Sequence, residues 1–84
     1  MYRVKITAKG KKDLRQISQE ISKKTVSSAI LEIKEYPYIG KPLVGDFLGK
    51  FSYRVGVYRI IYMINEEDKI ITIIMAQHRG RVYQ

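Results

Sequence analysis

The sequence predicts an α+β fold, a small two-layer domain in which an N-terminal strand and two helices pack on an antiparallel sheet. Three observations lead to this prediction. Apolar and polar residues alternate near the start of the chain, apolar residues recur at helical spacing up to residue 35, and alternation returns from residue 50 onward. Because 84 residues have room for one hydrophobic core, we expect residues 1–84 to form a single domain.

The first strand and the first helix are predicted from the start of the chain. Residues 2–6 alternate between apolar and polar side chains, which is typical of a half-buried strand. A short helix should then begin at Thr7 or Ala8 and end near Gln16, with Leu14 facing the core.

A second, longer helix is predicted up to about Glu35. Ser18 is a suitable N-cap residue for it. Pro37 and the following Gly40–Pro42 segment should end this helix and form a loop, because proline cannot continue a helix. The apolar residues that we expect this helix to bury are Ile21, Val26, Ala29, Ile30 and Ile33.

Three strands are predicted after the loop, at about 50–55, 57–65 and 69–78. Gly56 lies at the turn between the first two of them. The tight connection at Asn65–Asp68 makes the last two strands an antiparallel hairpin.

The arginines of these strands recur at positions that place them on one side of the sheet. Successive side chains of a strand point to opposite faces, so Arg59 shares its face with Ile61 and Met63. The opposite face, which the helices should cover, carries Tyr58, Ile60, Tyr62 and Ile64. In the last strand, the residues in step with Arg79 are Ile71, Ile73, Met75 and Gln77.

The side of the sheet away from the helices is therefore expected to carry Arg54, Arg59 and Arg79 together. Converging guanidinium groups bind phosphate bidentately and stabilise the charge that develops on it. The same spacing is also compatible with a solvated basic face that binds nothing. We expect three apolar residues to be exposed or half-exposed beside the arginines: Ile61, Ile73 and Met75. Exposed apolar residues of this kind favour a binding face over a solvated one.

The composition narrows the classes of function. A net charge of +8 and a pI near 9.8 favour a polyanionic partner, either a nucleic acid or an acidic protein. The absence of cysteine and the single histidine argue against a disulfide scaffold, a cysteine nucleophile or a metal site, and we expect no cofactor. Without a long apolar run or a secretory signal, we expect a cytoplasmic protein that does not bind membranes.

Arginine, histidine and tyrosine without metal ligands suit one reaction well. RNA can be cleaved by its own 2′-hydroxyl group, so a protein needs only to position the strand, neutralise charge on phosphorus and move protons. DNA lacks that hydroxyl group, which favours RNA as the substrate. His78 could act as a proton shuttle or be an ordinary polar residue at a strand end. Tyr83 could take part in catalysis or simply dock the tail.

At this point the sequence resembles the RelE/ParE toxin superfamily, and specifically its RelE-like mRNA interferase branch, over essentially the whole chain. The segments that carry the resemblance are Gly40-Lys41-Pro42-Leu43, Gly45-Asp46-Phe47-Leu48-Gly49, Tyr53-Arg54-Val55-Gly56, Tyr58-Arg59-Ile60-Ile61-Tyr62 and His78-Arg79-Gly80-Arg81-Val82-Tyr83.

The resemblance implies a function, a fold and partners. It implies the RelE-like fold and a toxin of a type II toxin–antitoxin system that acts as a ribosome-dependent endoribonuclease, cleaving mRNA in the ribosomal A site and so inhibiting translation. The implied partners are mRNA, the ribosome and a cognate RelB-like antitoxin that covers the basic face. Operator DNA is a candidate ligand of the toxin–antitoxin complex.

The resemblance also implies roles for individual residues. Arg54 matches a basic position before the turn, and Arg59 matches the central arginine that stabilises the transition state. Arg79 matches the arginine at the end of the last strand, and Tyr83 matches the C-terminal tyrosine that orients the substrate nucleotide. His78 occupies a position where the family often carries histidine or lysine.

One position departs from the family. We expect Lys50, Ser52 and Arg81 to contact RNA, but Ser52 stands where relatives carry a second basic residue, two positions before Arg54. Arginine is a poor general base because its pKa lies far above 7. A slow nuclease, or one that relies on the ribosome for proton transfer, is therefore an open alternative.

Two other functions remain open at this level. A ParE-like toxin has the same fold but inhibits DNA gyrase by binding it, without nuclease activity. A non-toxic module that binds nucleic acid or an antitoxin is the third reading, and Ser52 favours it. The set of Arg59, Arg79 and Tyr83 favours the nuclease, because a gyrase inhibitor has no need of a terminal tyrosine beside two phosphate-binding groups.

Overall fold

The computed structural model describes residues 1–78. The helices and strands in chain order are β1 (Arg3–Ile6), α1 (Ala8–Ile17), α2 (Lys23–Glu35), β2 (Lys41–Pro42), β3 (Lys50–Val55), β4 (Tyr58–Asn65) and β5 (Ile70–His78). Short 3₁₀ helices at Pro37–Ile39 and Gly45–Phe47 lie on either side of β2.

The strands form one mixed sheet, and the two helices pack on it, so the predicted α+β fold is confirmed. The strand order is β1-β5-β4-β3-β2, with β1 parallel to β5 and every other pair antiparallel. The predicted turns are also present: Gly56 has a φ of 61° between β3 and β4, and residues 66–69 connect β4 to β5. Strand β2 lies in the segment that was predicted to be a loop. Its two residues are too few to show alternation in the sequence.

The predicted start of the second helix is wrong by four residues. Ser18 has helical backbone angles and ends α1, where its hydroxyl group donates a hydrogen bond to the carbonyl oxygen of Leu14. An N-cap residue needs extended angles, and Ser22 has them; its side chain accepts a hydrogen bond from the backbone N–H of Thr25. Residues 18–21 are used for the turn between the helices, which leaves Ile21 outside α2.

The hydrophobic core lies between the helices and one face of the sheet. Gly10 brings α1 close to β5, because a β-carbon at this position would lie 2.9 Å from the carbonyl oxygen of Ile73. The buried apolar residues of the two layers are Leu14, Ile17, Val26, Ala29, Ile33, Val55, Tyr58, Ile60, Tyr62, Ile71, Ile73 and Ala76.

A register shift between β4 and β5 changes which residues of β5 face the core. Ile61 pairs with Met75 while the next residue, Tyr62, pairs with Ile73, so Ile74 is an extra residue in β5. The expectation that Ile73 lies beside the arginines is therefore wrong, since its side chain is fully buried in the core. Alternation through an unbroken strand cannot reveal an extra residue.

Two further expectations, for Ile71 of β5 and Ile61 of β4, are also wrong. Ile71 also lies in the core and not in step with Met75. Ile61 was expected to be exposed or half-exposed, but its side chain has no accessible surface. Met75 is half-buried, as expected.

Candidate functional site

The side of the sheet opposite the helices is lined by basic residues from four of the strands. Directly paired residues of neighbouring strands project to the same face. Arg54 pairs with Arg59 and Lys50 pairs with Met63. We call this side the basic face, and its cations among residues 1–78 are Arg3, Lys5, Lys41, Lys50, Arg54 and Arg59.

Three of these cations were not identified from the sequence. Lys41 pairs with Ser52, while Arg3 and Lys5 of β1 pair with Ile70 and Thr72 of β5. Their positions depend on which strands are neighbours and in which register. A search for basic residues in the long C-terminal strands alone could not find them.

Arg54 and Arg59 are directly opposed on adjacent antiparallel strands at the end of the β3–β4 hairpin. Arg54 is exposed, whereas Arg59 is only 7% exposed. An Nη2 atom of Arg59 lies 3.4 Å from the Oε1 atom of Gln77, which belongs to the strand on its other side. Like charges in directly opposed positions are destabilising, and a bound anion between them would remove that cost.

Acidic side chains are kept away from this arrangement. None of the eight acidic residues of the chain lies in a strand of the described part. One of them, Glu66, accepts hydrogen bonds from the hydroxyl groups of Tyr2 and Tyr38 and from the ammonium group of Lys69. The Tyr38 and Tyr2 hydrogen bonds, with that of Lys69, lower the pKa of the Glu66 carboxyl group to about 2.

The tyrosine beside Arg54 is not placed to act as a base. Tyr53 points to the helix layer, where its hydroxyl group donates a hydrogen bond to the Glu32 carboxylate. That hydrogen bond and burial raise the pKa of Tyr53 to about 12. The phenol is therefore protonated near neutral pH and cannot accept a proton from a substrate hydroxyl group.

His78 lies on the other side of the sheet from the arginine pair. It pairs with Tyr58, a core residue, and the two rings meet edge to face with centroids 5.4 Å apart. On this side it lines a groove with Asp13 and Glu20 of the helix layer. The structure thus brings Arg54 and Arg59 together with Lys50 and Ser52, and it separates His78 from them.

Three of the predicted site residues, Arg79, Arg81 and Tyr83, lie outside the described residues. Within residues 1–78, no three side chains of the types His, Cys, Asp and Glu are grouped in a way that could hold a metal ion. Neither helix in that range is long and apolar enough to cross a membrane.

The whole sequence matches a known protein family. The profile of the family described as the ParE toxin of the type II toxin–antitoxin system parDE matches residues 4–83. The chain is 32% identical to the toxin RelG of Mycobacterium tuberculosis, covering 99% of this chain and 97% of the relative. It is also 32% identical to the toxin RelE of the same organism, covering 99% and 87%.

Solved structures of toxins have the same fold. The toxin–antitoxin complex RelBE2 from Mycobacterium tuberculosis contains a chain that superposes with a TM-score of 0.79 at 33% identity, covering 93% of this chain and 98% of that one. The archaeal RelE–RelB complex from Pyrococcus horikoshii gives a TM-score of 0.65 at 32% identity, covering 96% and 98%. The isolated RelE toxin of E. coli, at 15% identity and a TM-score of 0.77 over 99% and 89%, is similar in fold.

Proposed function

This chain belongs to the RelE/ParE superfamily as a RelE-family toxin of a type II toxin–antitoxin system, and from that premise we propose a specific activity. The protein is a ribosome-dependent, metal-independent endoribonuclease that cleaves mRNA in the ribosomal A site and so inhibits translation. The observation that supports this proposal best is the directly opposed pair of Arg54 and Arg59, a like-charge arrangement that a phosphate would stabilise.

The proposed reaction is transesterification within the RNA. The 2′-oxygen of one nucleotide forms a bond to the adjacent phosphorus, the bond from phosphorus to the 5′-oxygen breaks, and the products carry a 2′,3′-cyclic phosphate and a 5′-hydroxyl group. The proton of the 2′-hydroxyl leaves, and the departing 5′-oxygen gains one. Arg59 and Arg54 hold the non-bridging oxygens, whose negative charge increases in the transition state.

The rigidity of β4 makes Arg59 the better transition-state ligand of the two arginines. Strand β4, which carries Arg59, lies between β3 and β5, and the guanidinium group of Arg59 is within reach of Gln77. A preorganised donor needs little reorganisation when charge develops on the phosphate. Arg54 is exposed near the end of β3, so it is placed to attract and orient the RNA backbone.

Proton transfer is assigned to groups other than the described tyrosine and histidine side chains. Tyr53 stays protonated, and His78 lies on the far side of the sheet from Arg59. We therefore propose that the ribosome or its bound water accepts the 2′-hydroxyl proton and supplies the proton that the departing 5′-oxygen gains. This assignment explains why the nuclease would require the ribosome.

The proposed cellular partner is a RelB-like antitoxin whose acidic residues pair with the basic face. The similar Mycobacterium structure is named as a toxin–antitoxin complex, and the similar Pyrococcus structure is named as a RelE–RelB complex. We place the protein in the cytoplasm, where ribosomes and mRNA are found, and we propose that the toxin–antitoxin complex, rather than the free toxin, binds operator DNA.

A gyrase inhibitor is the second candidate, because the matching family profile is named for ParE. The two activities differ in what they require of Arg59. A phosphate ligand in a reaction needs a guanidinium group at this position, whereas a protein that only binds gyrase has no chemical step for it to support.

The test is cleavage of a defined mRNA on purified, programmed ribosomes, with cut sites mapped by primer extension. Wild-type protein should cut within the A-site codon, and Arg59→Ala should cleave more slowly by on the order of a hundredfold or more. The matched control is Lys12→Ala, which removes one exposed cation from α1. It should cleave like wild type.

The same preparations are assayed for inhibition of gyrase-catalysed supercoiling. Intact mRNA together with inhibited supercoiling would replace the nuclease assignment by the gyrase assignment. Intact mRNA and uninhibited gyrase, with a protein that folds and does not slow bacterial growth, would leave a non-toxic binding module.

A further inference from the structure

Ser52 stands where the resemblance to RelE-like toxins implies a basic residue, and in the folded protein a lysine lies beside it. Lys41 of β2 is the direct cross-strand partner of Ser52, and Pro42 is the partner of Phe51. The aromatic ring of Phe51 stacks on the core residue Tyr62, so Phe51 points to the helix layer and Ser52 points to the basic face. Lys41 therefore projects to the basic face next to Ser52.

We propose that Lys41 supplies the positive charge missing at Ser52 and is a phosphate ligand for the bound RNA. This inference rests on the proposed nuclease function, and it adds a substrate-binding residue on a strand outside the β3–β4 hairpin.

The distances in a regular sheet allow this exchange. Directly opposed residues have β-carbons about 4.5–5.5 Å apart, and diagonal neighbours are about 7–8 Å apart. Lys41 is thus directly opposite Ser52 and diagonal to both Lys50 and Arg54. A lysine side chain is long enough to bring its ammonium group over the position of residue 52, beside the arginine pair.

The backbone on both sides of Lys41 is held by hydrogen bonds. The N–H of Gly40 donates to the Tyr62 hydroxyl group at 3.0 Å, and the N–H of Leu43 donates to the carbonyl oxygen of Lys50 at 2.9 Å. A β-carbon at residue 40 would lie 2.5 Å from that hydroxyl group, so the glycine faces inward and its neighbour faces outward. Lys41 is therefore presented by an ordered segment.

An ordinary explanation for an exposed lysine on β2 is protection of a sheet edge against pairing with another chain. Here Pro42, the other residue of β2, already lacks the backbone donor that such pairing needs. The side chain of Lys41 also has no hydrogen bond or ion pair to residues 1–78, so no carboxylate of the described residues neutralises its charge. These observations favour a ligand for Lys41 over a role in edge protection.

The experiment moves the positive charge from residue 41 to residue 52. Four proteins are compared with wild type in single-turnover cleavage on programmed ribosomes: Lys41→Gln, Ser52→Lys, the double variant Lys41→Gln/Ser52→Lys, and the control Lys12→Gln. Lys41→Gln should lower kcat/KM by on the order of tenfold, the usual loss for one charged contact. The double variant should recover most of that loss, because its lysine reaches the same place from the partner strand.

The results separate the inference from the function on which it rests. Suppose that wild type cleaves mRNA, that Arg59→Ala does not, and that Lys41→Gln cleaves at the wild-type rate. The inference about Lys41 is then wrong, and the nuclease function stands. A double variant as impaired as Lys41→Gln would also overturn it, since the loss would then come from β2 and not from charge. Thermal unfolding verifies that each variant is folded, and Lys41→Arg, which keeps the charge, should retain activity. Failure of wild type to cleave would overturn both.

Discussion

At the scale of single residues, the main feature of the basic face is a pair of neighbouring like charges. Arg54 and Arg59 are directly opposed, and Arg59 is almost completely buried with Gln77 beside its guanidinium group. Opposed like charges on neighbouring strands are unfavourable in the absence of a ligand. An arrangement that lowers stability is retained more readily where it binds an anion, as the proposed function requires.

We therefore expect Arg54→Gln to stabilise the free protein while impairing its activity. Removing one of two opposed charges should raise the free energy of unfolding by about 0.2–1 kcal/mol. The same change should slow mRNA cleavage at least about tenfold, because a charged contact to phosphate is lost. Urea unfolding and ribosomal cleavage measure the two effects, with Lys12→Gln as the charge-matched control. A variant that is less stable and equally active would contradict the role of this pair.

At the scale of elements, the site depends on how the helix layer fixes β5. Gly10 allows α1 to approach the backbone of β5. The Oδ2 atom of Asp13 accepts a hydrogen bond of 3.1 Å from the N–H of Ala76, two residues after the extra residue Ile74. The helix thus holds the strand at the place where its register shifts. That shift brings Gln77 opposite Arg59.

Gly10→Ala tests the close approach of helix and strand. In an isolated helix alanine would be favoured by about 1 kcal/mol, but here the added methyl group meets a backbone oxygen at 2.9 Å, which cannot swing aside. The free energy of unfolding should fall by about 1–3 kcal/mol. Urea unfolding measures it, and Lys12→Ala on the exposed side of the same helix should change stability little. A stabilised Gly10→Ala protein would show that α1 can move away from β5 without cost.

The Glu66 cluster joins three elements and makes their association sensitive to acid. Glu66 lies in the β4–β5 turn, Tyr2 precedes β1, and Tyr38 lies in the first 3₁₀ helix. The pKa of Glu66 is lowered from 4.5 to about 2 in the folded protein. A lowered carboxyl pKa means that the cluster stabilises the fold above about pH 4.5, and that this contribution is lost as the pH falls from there towards 2.

Glu66→Gln should remove this part of the acid sensitivity. The melting temperature should be measured between pH 6 and pH 2. Below about pH 4.5 it should fall less steeply for the variant than for wild type, because glutamine does not titrate. The control is Glu67→Gln, an exposed neighbour in the same turn. Parallel curves for Glu66→Gln and wild type would show that the cluster does not form in solution.

At the scale of the whole molecule, the strands of the described part carry cations but no acidic residue. The cations of the basic face lie in strands, while all eight acidic residues lie in helices, loops or turns of the described part. A net charge of +8 adds a long-range attraction for polyanions to the local contacts. Under the proposed function, RNA and an acidic antitoxin compete for the same side of the sheet.

Binding of single-stranded RNA should consequently depend steeply on salt. If Lys41, Lys50, Arg54 and Arg59 each contact a phosphate, the slope of log K against log salt concentration should be about −3, since each contact contributes about −0.7. Lys41→Gln should make the slope shallower by about 0.7 units, whereas Lys12→Gln should leave it unchanged. Fluorescence anisotropy with a labelled oligonucleotide gives both values. A flat response would exclude the basic face as the contact surface.

Local patterns in the sequence were sufficient for much of the fold. Alternation at residues 50–55 and in the following strands predicted β3, β4 and β5 closely, and of the two predicted starts of α1, Thr7 and Ala8, the helix begins at Ala8. Alternation also predicted that Arg54 and Arg59 lie on one face, and the pairing of β3 with β4 places them directly opposite each other. These features depend on neighbours within a few positions in the chain, which a sequence displays directly.

The tertiary structure decided the features that depend on residues far apart in the chain. The parallel pairing of β1 with β5 follows from the strand order, and the core position of Ile73 follows from one extra residue in β5. Lys41 lies beside Ser52 for the same reason, because pairing between β2 and β3 is a long-range choice. By itself the sequence determined the family, the α+β class and the basic character of the protein. Packing determined which cations share a face, since a single-residue shift in register moves side chains to the other side of a sheet.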